Sequence, residues 1–185
     1  EIPLRLVGSE MCIRDSLNPA IAEEPSRVDE VIYKLRALIM STDENNLITQ
    51  NEAFKRFVFE QNSFPFGKDG RAISVSFFGT EQNGMLDKNE YVVTNQWVYP
   101  KKENGKRFDI VLLINGLPVA IGELKTPVRA AITWLDGAED ITSYEKSVPE
   151  MFATNIFVFA TEGKCYRYGS VGMPVNMWGP WHTAE

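Results

Sequence analysis

The stretch FDIVLLINGLPVAIGELK, residues 108–125, consists of two apolar runs joined by Asn-Gly. Asn-Gly between apolar runs is the strongest short-range signal for a β-hairpin, because both central positions of a type I′ turn require positive φ. Both runs are nearly continuous in apolar residues, which is typical of strands that are covered on both faces of a sheet. The sequence therefore predicts a hairpin at the centre of a sheet.

Helices are predicted on both sides of this hairpin. Ser26 and Asp29 favour a capped helix start, and apolar residues then recur at helical spacing as far as Ile39. A second helix is predicted over Gln50–Glu60, and a third over Trp134–Ser147.

Further strands are indicated by β-branched and aromatic runs bounded by Gly, Asn and Pro. They are AISVSFF (72–78) and YVVTNQWVY (91–99) before the hairpin, and NIFVFAT (155–161) and CYRYGS (165–170) after it. The segment SFPFGKDGR (63–71) is predicted as a loop, and the Gly-, Pro- and Trp-rich tail as an ordered arm. This order of elements predicts an α/β domain with a mixed central β-sheet flanked by helices.

The composition argues against several classes of protein. The chain has 185 residues, a net charge of −6, one histidine and two cysteines. With a single histidine, zinc sites built from His and Cys and triads that use a His base are not expected. No apolar run approaches the roughly 20 residues of a transmembrane helix and no signal peptide is visible, so a cytoplasmic protein without a membrane segment is expected.

The segment LVGSEMCIRDS, residues 6–16, shows no helical or strand periodicity. It resembles, in register, the translation of a transposon end that is used to tag DNA for sequencing. We therefore expect residues 1–16 to be non-native and residues 17–185 to be a truncated domain. A native but disordered terminus is the alternative interpretation.

Three charged residues interrupt the apolar hairpin: Asp109 in the first strand, and Glu123 and Lys125 near the end of the second. Residues i and i+2 of a strand face the same side, so Glu123 and Lys125 project together. A two-residue turn in a regular ladder would pair Asp109 with Gly122 and place Glu123 on the opposite face. The charged site assembles only with an extra residue, so we predict a β-bulge at or near Gly122, or a loop of odd length.

With such a bulge, two carboxylates converge, and the backbone carbonyl of Leu124 is available as a third oxygen ligand. A few oxygens completed by water are the ligands that Mg²⁺ prefers. Lys125 could hold a metal-bound water or stabilise charge on phosphorus, and these are the parts needed to hydrolyse a phosphodiester. An ion cluster at the strand ends without catalytic function is the alternative, because this spacing of Asp, Glu and Lys is common.

The hairpin and its surroundings resemble a known family. The block RFDIVLLINGLPVAIGELKTPV (107–128) is similar to the PD-(D/E)xK nuclease core in the N-terminal domain of type I restriction enzyme R subunits. NEAFKRFV (51–58), NEYVVTNQWVY (89–99) and the stretch from Ser143 to Ser170 agree, so the resemblance extends over Leu17–Trp181.

The resemblance implies a restriction-endonuclease-like fold and Mg²⁺-dependent cleavage of double-stranded DNA. It implies that Asp109 and Glu123 bind the metal and that Lys125 is the catalytic lysine. Partners would be the methylation and specificity subunits of a restriction complex. The resemblance also implies motor domains downstream of this one, which would use ATP. The chain itself contains no Gly-x4-Gly-Lys-Ser/Thr motif, so it is not expected to bind ATP in the P-loop manner.

The chain departs from the family pattern in three places. Phe108 stands where the motif has Pro, and Asp140 stands at the Gln of a Gln-x3-Tyr element whose tyrosine is Tyr144. Relatives also carry a helix, sometimes with an acidic residue near the metal, where this chain has the adapter-like segment. A polar contact to DNA and part of the metal site are therefore in question.

Other residues are weaker candidates for contact with DNA. Arg107, Arg129 and Lys146 flank the hairpin and the following helix and could contact phosphates, although a solvated surface is the commoner role. Tyr144 could stack near DNA or pack against the core. Two other functions stay open: a free-standing nuclease of the same fold, and an inactive docking domain of the restriction complex.

Overall fold

The structure, a computed structural model, describes residues 17–19, 25–66, 69–99, 105–129 and 131–181. Within this part of the chain there are three α-helices, which are α1 (Pro25–Met40), α2 (Leu47–Phe59) and α3 (Trp134–Ser147). The strands are β1 (Ser63–Phe66), β2 (Arg71–Ser74), β3 (Tyr91–Tyr99), β4 (Lys106–Ile114), β5 (Leu117–Leu124), β6 (Phe157–Thr161), β7 (Tyr166–Gly169) and β8 (Gly179–Pro180).

Six of these strands form the central sheet in the order β3-β4-β5-β6-β7-β8. All neighbours are antiparallel except β5 and β6, which run parallel and are connected through α3. A parallel pair needs such a crossover, whereas the antiparallel pair β4–β5 needs only the Asn115-Gly116 turn. The predicted α/β domain with a mixed central sheet is confirmed.

The hydrophobic core lies between the helices and one face of this sheet. Fully buried residues come from α1 (Leu35, Ile39), α3 (Ile141) and the hairpin (Val111, Ile121), and they belong to one cluster. Asn51 of α2 provides hydrogen-bond donors for buried backbone carbonyls near the end of the core. Its side-chain amide donates to the carbonyls of residues 153 and 155 at 3.0 and 2.8 Å. In the described residues, no helix has the length and apolar character needed to cross a membrane.

The other face of the sheet is covered only in part. Val93, Leu112 and Ala120 are register partners in adjacent strands and therefore share this face, on which Val93 is 70% exposed. Strand β5 is buried along nearly its whole length, whereas in β4 only Phe108, Val111 and Leu113 are buried and the other residues are half-buried or, at Arg107, exposed. The prediction that both hairpin strands are covered on both faces is therefore correct for β5 and wrong for β4.

Several predicted boundaries change. SFPF, predicted as loop, forms β1, which pairs with β2 as a separate two-stranded sheet in which Pro65 can be accommodated. Helix α1 begins at Pro25, so Ser26 is inside it, and α2 begins at Leu47, three residues before the predicted Gln50. The part of the predicted arm that the structure describes ends at Trp181; it contributes β8 to the central sheet, and Trp178 within it is buried.

Helix α3 has the predicted bounds and is fixed at its N-terminus by two carboxylates. Asp136 accepts a hydrogen bond from the Thr133 backbone N–H at 2.7 Å, which completes a capping box. Buried Glu162, just after β6, accepts the N–H of Trp134 at 2.8 Å and that of Cys165 at 2.9 Å. The start of α3 is thereby tied to the β6–β7 turn.

Candidate active site

A β-bulge in β5 brings the two hairpin carboxylates together. Leu113 pairs with Pro118, but Leu112 pairs with Ala120, so Val119 is an extra residue in the ladder. Beyond the bulge, Ile110 pairs with Gly122, and the same register places Asp109 opposite Glu123. The predicted bulge is confirmed, but its extra residue is Val119, three positions before Gly122.

Gly122 has a different role from the one predicted. A Cβ atom at this position would overlap the ring of Phe159 on β6, which lies directly against the glycine backbone. The same ring stacks on Tyr166 of β7 with a centroid distance of 5.1 Å. Gly122 is therefore required for the close approach of an aromatic ring, and the bulge forms at Val119 instead.

The Asp109 carboxylate is held by two uncharged donors. Gln96 on β3 donates its side-chain amide to Oδ1 at 2.8 Å, and the Leu124 backbone N–H donates to Oδ2 at 3.0 Å. Three adjacent strands thus orient this carboxylate. Neither donor neutralises its charge.

Glu123 is buried, with 7% of its side chain exposed. Its Oε1 accepts a hydrogen bond from Lys125 at 3.3 Å, whereas its Oε2 is buried and has no hydrogen-bond partner. Burial, followed by the negative charge of Asp109, raises the pKa of Glu123 to about 7 despite the opposing effect of Lys125. An anion in this position needs more positive charge than Lys125 supplies.

Lys125 lies at the end of β5 and is shared by two carboxylates. Its backbone N–H donates to the Thr161 carbonyl at 2.8 Å, which fixes the residue beside β6. Its ammonium group contacts Glu123 and forms a short ion pair with Oδ2 of Asp140 on α3. Burial acts to lower the pKa of Lys125, but the hydrogen bond and charge of Asp140 and the charge of Glu123 raise it overall.

Helix α3 supplies one wall of this site. It packs closely on the sheet at Gly137, where a Cβ atom would lie 3.1 Å from the Ala160 Cβ and 3.5 Å from the Glu123 Cβ. One turn after Asp140, Tyr144 packs edge-on against Phe108 with a centroid distance of 5.6 Å. Burial, and then the charge of Glu123, raise the pKa of Tyr144 to about 12, so its hydroxyl is neutral at physiological pH.

The structure brings together Asp109, Glu123, Lys125 and the backbone of Leu124, and it places Tyr144 next to them. Three weaker candidates lie elsewhere. Arg107 is exposed on β4 opposite Val98, Arg129 is exposed in the loop before α3, and Lys146 lines a separate cavity with Glu145 and Gly172. The roles predicted for all these residues stay predictions.

Two residues of the site were not predicted as such: Gln96 and Asp140. Gln96 is a polar residue in the middle of a β-branched and aromatic strand, and this interruption was the available signal. The sequence pointed to Asp140 only because this residue replaces the glutamine of the Gln-x3-Tyr element.

The donor set can accommodate a hard divalent cation. Among the described residues, no group of three or more His, Cys, Asp or Glu side chains is arranged to hold a metal. The site instead offers two facing carboxylates, one with an unpartnered buried oxygen, beside the Leu124 backbone. Three carboxylates and one ammonium leave a surplus of two negative charges when all are ionised.

Comparisons with known proteins identify the family of this chain. The family model described as type I restriction enzyme R protein N terminus matches residues 13–174. The type I restriction enzyme HindI endonuclease subunit of Haemophilus influenzae is 26% identical over 178 residues, covering 91% of this chain and 16% of that protein. A protein of Methanocaldococcus jannaschii that is named a putative type I restriction enzyme MjaIXP endonuclease subunit is 26% identical over 157 residues, covering 83% of this chain and 15% of that protein.

The chain therefore spans about a sixth of the length of these relatives. Its mixed sheet flanked by helices agrees with the restriction-endonuclease-like fold that the family resemblance implies. Because the family match covers most of the residues, this chain belongs to the family of type I restriction enzyme R protein N-terminal domains.

Proposed function

We propose that this chain is the nuclease domain of a type I restriction enzyme R subunit and hydrolyses phosphodiester bonds of double-stranded DNA with Mg²⁺. In the longer cytoplasmic protein, motor domains would use ATP to translocate DNA, and methylation and specificity subunits would complete the complex. The names of the relatives support this proposal, since each name describes an endonuclease subunit of such an enzyme. The observation that carries it is the buried, unpartnered Oε2 of Glu123, which lies in a cluster with Asp109 and Lys125.

Mg²⁺ suits this cluster because it binds through few protein oxygens and keeps several waters. Asp109 and Glu123 would hold it through their side chains, and Leu124 through its backbone carbonyl. When bound, the metal would polarise a phosphoryl oxygen and lower the pKa of a coordinated water. The surplus negative charge and the orphaned oxygen of Glu123 both favour a cation here.

Lys125 would act as a charged donor and not as a general base. The net shift of its pKa is upward, so the amine stays protonated at physiological pH. Hydrolysis adds a water oxygen to phosphorus and releases one ester oxygen as an alcohol, with negative charge building on the phosphoryl oxygens. An ammonium beside the phosphate stabilises that charge, as a fixed electrostatic donor does in other active sites.

Metal binding tests this function. We expect titration calorimetry to show that Mn²⁺ and Mg²⁺ bind the chain. Either ion should also raise the thermal midpoint, because a metal concentration of a hundred times Kd adds about 2.7 kcal/mol to the free energy of unfolding. Asp109→Ala and Glu123→Gln should abolish both effects, whereas Lys125→Met should keep them. Glu52→Gln, which removes an exposed carboxylate of α2, is the control for a simple loss of negative charge.

Cleavage is then measured in the full-length R subunit assembled with its methylation and specificity subunits. All three site variants should lose at least about a hundredfold of the Mg²⁺-dependent cleavage rate. Loss of metal binding with no loss of cleavage would refute the assigned roles. A chain that binds neither metal would favour the inactive docking domain, and cleavage by the isolated chain would favour the free-standing nuclease.

A further inference from the structure

Gln96 has a left-handed backbone in the middle of a strand. Its φ is 52°, although β3 continues regularly on both sides of it. In the described part of the chain, the other non-glycine residue with positive φ is Asn115, in the Asn-Gly turn where such a value is favourable. A glutamine is unfavourable in this region, and such outliers persist where the surrounding structure requires them.

The outlier coincides with a change in which side chains face the core. Along β4 the buried residues have a spacing of three and then two, whereas a regular strand keeps a spacing of two. These buried residues are Phe108, Val111 and Leu113. The alternation of core-facing and outward-facing side chains in β4 is therefore shifted by one residue between residues 108 and 111.

The shift in alternation occurs at the same place in β3 and in β4. Asn95 pairs with Ile110 and Trp97 with Phe108, so the register is the same on either side of Gln96. Two consecutive side chains of β4 can then face the same side of the sheet. Phe108 packs on Tyr144 of α3. The register of Ile110 with Gly122, continued by one residue, places Asp109 opposite Glu123.

At this position the side chain of Gln96 donates to Oδ1 of Asp109 at 2.8 Å. We propose that Gln96 is a positioning residue, which fixes the Asp109 carboxylate in the orientation that binds a divalent cation. This inference rests on the proposed nuclease function. The amide orients one carboxylate oxygen while the Leu124 N–H orients the other at 3.0 Å, and both leave the negative charge intact for the metal.

Two substitutions separate the backbone of Gln96 from its side chain. Gln96→Gly removes the amide and relieves the positive φ, whereas Gln96→Met removes the amide and keeps a side chain of similar size. Both variants should weaken Mn²⁺ binding by about fivefold, the value of one neutral hydrogen bond. Only Gln96→Gly should keep or raise the thermal midpoint without metal. Asn95→Met, in the regular backbone of the same strand, is the matched control and should bind Mn²⁺ unchanged.

The outcomes distinguish this inference from the function on which it rests. If the unaltered chain fails to bind Mn²⁺, the proposed metal site is wrong and this inference is wrong with it. If the unaltered chain binds Mn²⁺ and both Gln96 variants bind it equally well, only the positioning role is overturned, and Gln96 serves the packing of Phe108 alone. A fivefold loss shared by the glycine and methionine variants, but not by Asn95→Met, supports the role.

Discussion

Asp140 is the least expected side chain of the site, because it gives Lys125 a second carboxylate partner. The family resemblance implies a glutamine at this position, which could contact the lysine without adding charge. The aspartate adds a negative charge at the edge of a site that is already short of positive charge. Its side chain is 44% exposed. We expect this charge to attract a divalent cation without binding it directly.

Asp140→Asn should therefore weaken Mn²⁺ binding only moderately. A charge that is largely screened by water contributes on the order of 1 kcal/mol, or roughly fivefold in Kd. Calorimetry on the chain measures this change, with Glu52→Gln, which removes an exposed carboxylate of α2, as the control. A loss of binding as complete as that expected for Asp109→Ala would instead make Asp140 a direct ligand.

At the scale of single residues, the sequence predicted those candidates whose spacing is local. Asp109, Glu123 and Lys125 lie within one hairpin, so turn geometry and strand periodicity were enough to place them together. Gln96 and Asp140 come from a third strand and from the crossover helix. Their approach depends on a backbone outlier and on helix packing, neither of which leaves a local pattern.

Among the elements, the close packing of β5 against β6 depends on a single glycine, Gly122. The Phe159 ring lies where a side chain at position 122 would project. Gly122→Ala should force the buried ring to move, and overpacking of this kind costs about 1–3 kcal/mol. Urea unfolding of the variant measures the loss.

A double-mutant cycle identifies the cause of that loss. Combined with Phe159→Leu, Gly122→Ala should cost clearly less than it does alone, because the smaller side chain leaves room for the methyl group. Additive costs would show that the alanine acts elsewhere, for example on the bulge at Val119. In that case the ring would not be the reason for the glycine.

Elements with a clear periodicity or turn signal were predicted well, and irregular ones were not. Helix α3 has its predicted bounds, and the hairpin turn is at Asn115-Gly116. The need for a bulge followed from the positions of the charges, but its place did not, because Gly122 is required by a ring from a strand distant in sequence. β1 contains a proline and was predicted as loop, since the pairing that accommodates it was not visible locally.

For the molecule as a whole, Glu145 links stability to pH. This residue of α3 is buried and accepts the Gly172 N–H at 2.9 Å, beside a cavity lined by Glu44 and Lys146. Burial raises its pKa to about 7, against the smaller opposing effect of that hydrogen bond. Between the ordinary value of 4.5 and about 7, the folded state holds a proton that the unfolded state lacks. Stability therefore falls as pH rises through this window and levels off above it.

Glu145→Gln keeps an acceptor for Gly172 and cannot ionise. We expect it to be more stable than the unaltered chain at pH 8 by about 1–3 kcal/mol, and equally stable near pH 4.5. Urea unfolding at both pH values, without divalent cations, measures the difference. Glu139→Gln on the exposed side of the same helix should change stability by less than about 0.5 kcal/mol. An equal stability gain at both pH values would show that ionisation of Glu145 is not the cause.

Helix α3 is anchored near both of its ends. Glu162 accepts the Trp134 N–H at the start of the helix, and Glu145, near its end, accepts the Gly172 N–H. Asp140 lies between these two anchors, in a helix whose residues Ala138 and Ile141 are fully buried. The Asp140 carboxylate is therefore held at a fixed height above the sheet. Any opening of its ion pair with Lys125 requires rotation of these two side chains and not a movement of the helix.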